Sequence, residues 1–188
     1  LGAKLWWTAE FFSTAPYPSL LFSRGGLSWF GGFTFGLAAG LLVIRLKRLP
    51  LLAVLSAAAP ALAIGHAIGR IGCLLSGLPD GTYGTATMLP WGIDFGDGIT
   101  RHPTALYESL FVIALGIALI PVWRRGAVGN TFKLFTASYL AFRLVVDTIK
   151  PGAALFLGLT AIQLVCVFGL VYYAQWYVRK VVSGFSRT

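Results

Sequence analysis

Long apolar stretches separated by short polar segments run through this 188-residue chain. A helix needs about 20 mostly apolar residues to cross a bilayer. The stretches therefore predict membrane spans near residues 28–45, 51–70, 104–123, 131–149 and 154–178. This pattern favours an all-α fold, a polytopic transmembrane helical bundle of about six helices in which residues 1–188 form a single domain.

A further apolar helix is predicted near residues 1–13. At 1.5 Å per residue it would be about 20 Å long, which is short for a crossing. Because it begins abruptly at Leu1, we expect the chain to belong to a longer protein with at least one upstream span.

The longest connection between predicted spans covers residues 71–103 and is rich in glycine and proline, which indicates turns. A connection of this length is usually functional or disordered. Its aromatic residues and its lack of low-complexity sequence favour an ordered loop region.

Charged residues divide between the two ends of the spans. The six acids fall toward one end, and ten basic residues fall at the other: Lys4, Arg45, Lys47, Arg48, Arg124, Arg125, Lys133, Arg179, Lys180 and Arg187. Cytoplasmic segments carry an excess of Lys and Arg. The partition predicts a multi-pass membrane protein whose C-terminus is cytoplasmic and whose 71–103 loop is extracytoplasmic.

The composition supports this class. Hydrophobic residues make up 57% of the chain and charged residues only 11%, against about 25% charged in soluble domains. The formal charge of +9 is found in nucleic-acid-binding proteins, but those concentrate Lys and Arg on a solvated face. Here the basic residues separate apolar runs, so we expect no nucleic-acid partner. Two cysteines are too few for a disulfide framework or a structural zinc site, and we expect no metal.

Two arginines lie within the apolar stretches, Arg70 in AIGRIGC and Arg143 in YLAFRLVVD. A cation at membrane depth is costly, so it usually faces the protein interior, a partner or a polar ligand. Arg70 is expected near the outer boundary, and Arg143 about 18 Å from the cytoplasmic end, in the outer half. At this shared depth the two guanidiniums would form a site for an anion, and the anion most available in a membrane is a lipid phosphate.

Each arginine shares a helix face with other polar residues, because residues three or four apart are neighbours on a helix. The two faces consist of His66, Arg70 and Cys73, and of Tyr139, Arg143 and Asp147.

Structural alternatives exist for each residue of these faces. Arg70 could extend its side chain to the outer headgroups, and Arg143 could form an internal ion pair with Asp147. Such a pair is compatible with function, because a carboxylate often orients an arginine for its ligand. His66 could be an interhelical hydrogen-bond partner, and Cys73 a small packing residue.

The segment RHPTALYE at residues 101–108 joins the loop to a span and carries Arg101, His102 and Glu108. Pro103 suits the first turn of a helix. Histidine exchanges protons near neutral pH, so His102 is a candidate base, whereas Arg101 and Glu108 could instead be membrane-interface residues. The glycine-rich RGGLSWFGG at 24–32, which includes Gly31, would permit close helix packing or close approach of a lipid.

These motifs resemble those of the bacterial prolipoprotein diacylglyceryl transferases. The resemblance covers nearly the whole chain in order, through LGAKLWW at 1–7, RGGLSWFGG, APALAIGHAIGRIG at 59–72, LPWG at 89–92, RHPTALYE and the stretch from Tyr139 to Asp147. The family has seven spans, so the first would lie upstream of this chain.

The resemblance implies transfer of a diacylglyceryl group from phosphatidylglycerol, or another anionic phospholipid, to the cysteine thiol of a lipoprotein precursor peptide. The transfer releases glycerol phosphate at the outer face of the inner membrane, with no cofactor. By position, Arg70 and Arg143 would stabilise the phosphate, while Tyr139 and Asp147 would position Arg143 or the lipid. Arg101, Glu108, Cys73 and Gly31 complete the candidate substrate-binding residues.

The chain also departs from the family pattern. Phe30 stands where the family has a histidine that is a candidate base, and Cys73 stands where it has asparagine. His66 or His102 would then replace the base. The alternative hypothesis is a relative that binds anionic phospholipid or lipopeptide without catalysis, or that uses another acceptor. A solute carrier is less favoured, because carriers often have repeats or helices broken at the midplane.

Overall fold

The structure is a computed structural model, and it describes residues 1–10, 29–125, 129–152, 155–156 and 158–185. These residues are mostly helical and little sheet is present. Within them the α-helices, in chain order, are α1 (Gly2–Glu10), α2 (Trp29–Leu46), α3 (Leu51–Ser76), α4 (Thr104–Arg124), α5 (Asn130–Val146) and α6 (Ala161–Phe185). Two short 3-10 helices, Leu78–Asp80 and Asp147–Ile149, and the strands β1 (Ile93–Asp94) and β2 (Thr100–Arg101) complete the elements.

The predicted apolar segments coincide largely with helices α2 to α6. Among the described residues, α3 and α4 are long and apolar enough to cross a membrane, and Gly31–Leu46 and Ala161–Tyr177 form shorter apolar helices. The full multi-span bundle stays a prediction. Of the first predicted helix, residues 11–13 lie outside the described residues, as do residues 24–28 of the glycine-rich segment.

Two predicted boundaries are wrong. Helix α3 continues beyond residue 70 to Ser76, so the connection begins at residue 77 rather than 71. Helix α6 begins at Ala161 rather than at 154 because Thr160 and Gln163 cap it reciprocally. The Gln163 amide N–H donates to Thr160 Oγ1 at 3.2 Å, and the Thr160 N–H donates to Gln163 Oε1 at 2.9 Å.

The contacts group the chain into two compact units, Leu1–Leu51 and Leu52–Thr188. In the first unit α1 packs closely against α2. Gly31 is buried there, and a side chain at this position would overlap Trp6. The glycine therefore permits close helix packing. The single domain predicted for residues 1–188 stays a prediction.

In the second unit, α3 packs on α4 through a stripe of small residues. Ala59, Ala63 and Ala67 recur at spacing four and are at most 2% exposed. A Cβ on Gly116 would lie 2.9 Å from Ala63 Cβ, and Ser109 Oγ donates to the Ala67 carbonyl at 3.1 Å. Small residues allow backbones to approach closely where apolar surroundings give little drive for helix association. The stripe leads directly toward Arg70.

A second attachment joins α3 to the start of α5. Pro60 lies inside α3 and lacks the N–H that would bond to the Ser56 carbonyl. The Ser56 hydroxyl is buried and accepts a hydrogen bond from the Gly129 N–H at 2.9 Å. Gly129 precedes α5 with φ +83°, a left-handed conformation that favours glycine.

The connection between α3 and α4 is held on the helix ends. Strands β1 and β2 form an antiparallel hairpin in which Ile93 pairs with Arg101. Buried Thr104 donates from Oγ1 to the Thr82 carbonyl at 2.5 Å, and the Thr85 N–H donates to the Ile149 carbonyl at 2.8 Å. These bonds fix the loop against the first turn of α4 and the 3-10 turn that follows α5.

Candidate functional site

Glu108 is the centre of the candidate site. It lies one turn into α4 and its side chain is 0% exposed. Thr104, Ala105 and Val112, its neighbours on the same face of the helix, are also buried. Burying a carboxylate is costly unless it is paired and hydrogen-bonded, and Glu108 has partners on both oxygens.

Three cationic side chains from two helices and the segment after α5 meet at one oxygen, Glu108 Oε2. Arg70 Nε of α3 lies 2.9 Å away, Arg143 Nη1 of α5 lies 3.2 Å away, and Lys150 Nζ lies 3.9 Å away. Residues from α3 and α5 thus share a single ionic contact. The two arginines predicted to lie at similar depth are brought together.

The other oxygen, Glu108 Oε1, binds two ring side chains. Tyr139 Oη donates to it at 2.5 Å, and His66 Nε2 lies 3.0 Å away. The His66 and Tyr139 rings meet edge to face with centroids 5.0 Å apart. The His66 side chain is 32% exposed, although the carboxylate it contacts is fully buried. His66 therefore stands between the buried carboxylate and the exterior.

Asp147 holds Arg143 from the other side. Its Oδ1 lies 3.6 Å from Arg143 Nη2, which confirms the predicted pair. Its Oδ2 accepts a hydrogen bond from Thr160 Oγ1 at 2.5 Å. Since Thr160 caps α6, this aspartate links the guanidinium to the start of the next helix. We name the whole set the Glu108 cluster: His66, Arg70, Glu108, Tyr139, Arg143, Asp147 and Lys150.

The charges of the cluster do not cancel. Arg70, Arg143 and Lys150 face the two carboxylates of Glu108 and Asp147, which leaves one net positive charge when His66 is neutral. Burial, and next the positive charge of Arg143, lower the pKa of Lys150 from the ordinary 10.5 to about 8, although Glu108 acts in the opposite direction. The cluster therefore attracts anions, and Lys150 is its most readily deprotonated cation.

His102 and Arg101 lie outside the cluster. His102 Nδ1 is 3.3 Å from Tyr107 Oη, which accepts a hydrogen bond from Trp91 Nε1 at 2.8 Å. Arg101 forms a bidentate pair with Asp97, with both N···O distances 2.7 Å. This pair raises the pKa of Arg101 and lowers that of Asp97. Neither residue contacts the cluster, so their predicted roles in catalysis or substrate binding gain no support from its geometry.

Cys73 and Gly31 have different positions. Cys73 is half-buried on α3, and its Sγ is 3.9 Å from Arg70 Nη1, so it borders the cluster. Gly31 belongs to the first compact unit. Its role as a substrate-binding residue stays a prediction.

Two of the structural alternatives are wrong. Arg70 does not extend toward headgroups, because its side chain is 19% exposed and pairs with buried Glu108. Glu108 is not an interface residue, because it is fully buried. The alternative for His66, an interhelical hydrogen bond, is confirmed by its contact with Glu108 on α4.

A partly open cavity of about 340 Å³ lies between α5 and α6, beside the cluster. Tyr139 and Arg143 line it, together with the mostly apolar side chains Leu140, Ala161, Ile162, Val165 and Cys166. The cavity thus combines an apolar wall with one of the two guanidiniums. Arg70 is not among its lining residues.

Lys150 and the central position of Glu108 were not predicted from the sequence. Lys150 continues the polar face of α5, since it follows Asp147 by three residues, and that spacing was a usable signal. Glu108 is an acid within an apolar helix, which also indicates a functional position. Nothing in the sequence indicated that both arginines share its Oε2.

The cluster can bind and stabilise an anion and can hold a proton on His66. A guanidinium carries five N–H donors, so the contacts to Glu108, Asp147 and Cys73 leave donors on both arginines within the described part of the chain. Across the described ranges, no group of three or more His, Cys, Asp or Glu side chains is arranged to hold a metal ion.

The fold and the site define a helical protein with apolar candidate spans and a buried, positively charged cluster beside an apolar cavity. The sequence profile of the prolipoprotein diacylglyceryl transferases matches residues 1–179, and the chain belongs to this family.

The relatives are similar over most of the chain. The phosphatidylglycerol–prolipoprotein diacylglyceryl transferase of Methylobacillus flagellatus is 34% identical over 172 residues, which cover 87% of this chain and 63% of the relative. The transferase of Geobacter sulfurreducens is 34% identical, and the match covers 82% of this chain and 60% of the relative. That of Cupriavidus pinatubonensis is 32% identical and covers 100% and 71%. The chain therefore spans about three fifths of the length of the first two relatives. A comparison with solved structures finds no match.

Proposed function

We propose that this chain carries the reaction centre of a phospholipid-dependent transferase, which moves a diacylglyceryl group from phosphatidylglycerol to the cysteine thiol of a lipoprotein precursor. One observation carries the proposal: Arg70 and Arg143, from α3 and α5, meet at a single oxygen of buried Glu108. Paired guanidiniums bind phosphate oxygens with directed, charge-assisted hydrogen bonds. The names of the relatives supply the substrates.

The cavity between α5 and α6 supports a lipid as the anion. Arg143 would hold the phosphate, while Leu140, Ile162 and Val165 would contact an acyl chain in the same cavity. Each buried methylene stabilises binding by about 0.8 kcal/mol. A water-soluble phosphate would gain nothing from this apolar wall.

His66 is the proposed proton acceptor for the thiol, in the role that the resemblance gives to a family histidine at the sequence position of Phe30. The thiolate is the nucleophile, so a base must take the proton. Glu108 holds Nε2 of the ring and orients it, as a carboxylate orients the histidine of a catalytic triad. Nδ1 would then receive the proton. The position of His102 beside Tyr107 gives it no contact with the phosphate-binding groups.

The reaction balances with these groups. The thiol proton moves to His66, the sulfur forms a bond to the terminal carbon of the diacylglycerol, and the bond between that carbon and the phosphate oxygen breaks. The electron pair stays on the phosphate, so glycerol phosphate leaves with a second negative charge. Arg70 and Arg143 would stabilise that charge where it develops.

This function includes a multi-pass topology in a bacterial inner membrane, with the cluster toward the outer face and the C-terminus cytoplasmic. The excess of basic residues at the opposite ends of the spans supports this orientation. The exposed apolar side chains of Ile64, Ile68 and Ile117 on α3 and α4 suit contact with lipid.

The test is transfer of label from phosphatidylglycerol, labelled in its acyl chains, to a peptide with a lipobox cysteine. The full-length protein in phospholipid vesicles is expected to increase the peptide mass by one diacylglyceryl group and to release glycerol phosphate. Arg143→Ala is expected to lower the rate of transfer by about 10³-fold or more, whereas Arg125→Ala, an exposed control, retains it. Binding of phosphatidylglycerol that depends on both arginines, without transfer to any thiol peptide, would instead establish a non-catalytic relative.

A further inference from the structure

The Glu108 cluster contains a cation, Lys150, that has no role in the transfer reaction as proposed. Lys150 follows the 3-10 turn after α5, its side chain is only 11% exposed, and its Nζ lies 3.9 Å from Glu108 Oε2. Arg70 and Arg143 contact the same oxygen. The ammonium group is therefore a neighbour of both guanidiniums, although like charges repel.

Placing an ammonium group beside two guanidiniums costs free energy, and the charge balance of the cluster indicates what this position contributes. Without Lys150 the cluster would be electrically neutral, because the arginines are matched by Glu108 and Asp147. With Lys150 it carries one surplus positive charge. A phosphodiester carries one negative charge, and the departing phosphate monoester gains a second as the carbon–oxygen bond breaks.

We propose that Lys150 is a third phosphate-binding group, which stabilises the negative charge that develops on the departing glycerol phosphate. This inference rests on the proposed transfer reaction. Interactions that strengthen in the transition state raise kcat, whereas those made equally with the bound substrate lower KM. Lys150 is therefore expected to act chiefly on kcat.

The groups that face Lys150 make its charge sensitive to pH. Arg143 and Arg70 disfavour the protonated form, Glu108 and Asp147 favour it, and burial disfavours it most, so the pKa falls to about 8. Lys150 in the free enzyme thus loses its proton as the pH rises through about 8, and the surplus charge disappears. An arginine in its place would stay charged.

The test compares Lys150→Gln and Lys150→Arg with the wild type and with Lys47→Gln, which removes one positive charge at an exposed position. Lys150→Gln is expected to lower kcat on the order of 10²-fold, as loss of one group that stabilises developing charge does, with little change in KM. Lys150→Arg is expected to recover most of the rate. The pH dependence of kcat/KM reports the ionisation of groups in the free enzyme. The kcat/KM of the wild type, divided by that of Lys150→Arg, should therefore fall above about pH 8.

Thermal unfolding in detergent checks that Lys150→Gln folds. If the wild type transfers lipid and Lys150→Gln matches Lys47→Gln in kcat, the inference is wrong and the proposed function stands. If the wild type transfers nothing, the proposed function fails, and glycerol phosphate binding decides the role of Lys150. An anion site would be supported if glycerol phosphate protects the wild type and Lys150→Arg from thermal unfolding but does not protect Lys150→Gln. Equal protection of all three would overturn it.

Discussion

Two arginine–carboxylate contacts in this molecule differ in nearly every respect. The hairpin pair of Arg101 and Asp97 is local in sequence, bidentate and short, with distances of 2.7 Å. In the Glu108 cluster, Arg70 and Arg143 meet one carboxylate oxygen from different helices at 2.9 and 3.2 Å.

The hairpin pair has the better hydrogen-bond geometry, yet the cluster has the properties of a site. Asp97 is 30% exposed, so water screens its pair, whereas Glu108 is 0% exposed. Exposed ion pairs contribute little to stability, and low dielectric surroundings amplify every charge in a buried one. Burial and convergence of distant residues, rather than the quality of one contact, set the proposed site apart from the hairpin pair.

The sharpest difference is expected for activity. Arg143→Ala should lower the rate of diacylglyceryl transfer by about 10³-fold or more, because it removes a group aimed at developing charge. Arg101→Ala should leave the rate within about twofold, since this residue contacts no member of the cluster. Transfer rates of both variants in vesicles check the contrast. A loss at Arg101 as large as at Arg143 would mean that the hairpin belongs to the site.

For stability, the largest effect is expected at Glu108. Glu108→Ala leaves three cations without their shared partner, and breaking a buried ionic contact from one side typically costs about 3–5 kcal/mol. Denaturant unfolding in detergent should show this loss for Glu108→Ala and no resolvable shift in midpoint for Asp97→Ala. Equal midpoints for the two variants would contradict the central place of Glu108.

A smaller contrast is expected between the histidines. His66→Gln should lower the transfer rate by about 10²-fold, within the range for loss of a general base. His102→Gln should keep the rate near that of the wild type. Initial rates of transfer in vesicles measure the contrast, and a loss of rate in His102→Gln but not in His66→Gln would mean that the base has been assigned to the wrong histidine.

The smallest contrast is expected between two tyrosines. Tyr139→Phe removes a hydrogen bond to a charged carboxylate, worth about 1.5–3 kcal/mol, and should slow transfer roughly 10-fold. Tyr107→Phe removes bonds to Trp91 and His102 outside the cluster and should change the rate little. Initial rates at saturating phosphatidylglycerol separate the two, and the proposed role of Tyr139 in positioning fails if they are the same.

Much of this arrangement was readable in the sequence. Hydropathy predicted the helices, spacing predicted the Arg143–Asp147 pair, and depth brought Arg70 and Arg143 together. The start of α6 was predicted at 154 and lies at Ala161, although Thr160 and Gln163 form a capping box signature that marks it.

The rest depended on how helices rotate against one another. His102 and Glu108 are close in sequence, yet Pro103 separates an extended residue from the helix that buries Glu108. Lys150 was not predicted, although it follows Asp147 by three residues, because it lies beyond the 3-10 turn Asp147–Ile149, where the predicted span ends. The partner shared by two distant side chains is a tertiary property.

The bond between Ser56 and Gly129 has a consequence for the spacing of the two guanidiniums. Arg70 follows Ser56 by 14 residues, and Arg143 follows Gly129 by the same 14. At 1.5 Å per residue, each of these two helical segments is about 21 Å long, and both start from the hydrogen bond between Ser56 and Gly129. Inserting a single alanine into either segment would rotate its arginine by about 100° around the helix axis and shift it by about 1.5 Å along that axis. Equal segment lengths thus keep the two guanidinium groups level with the one oxygen they share, Glu108 Oε2.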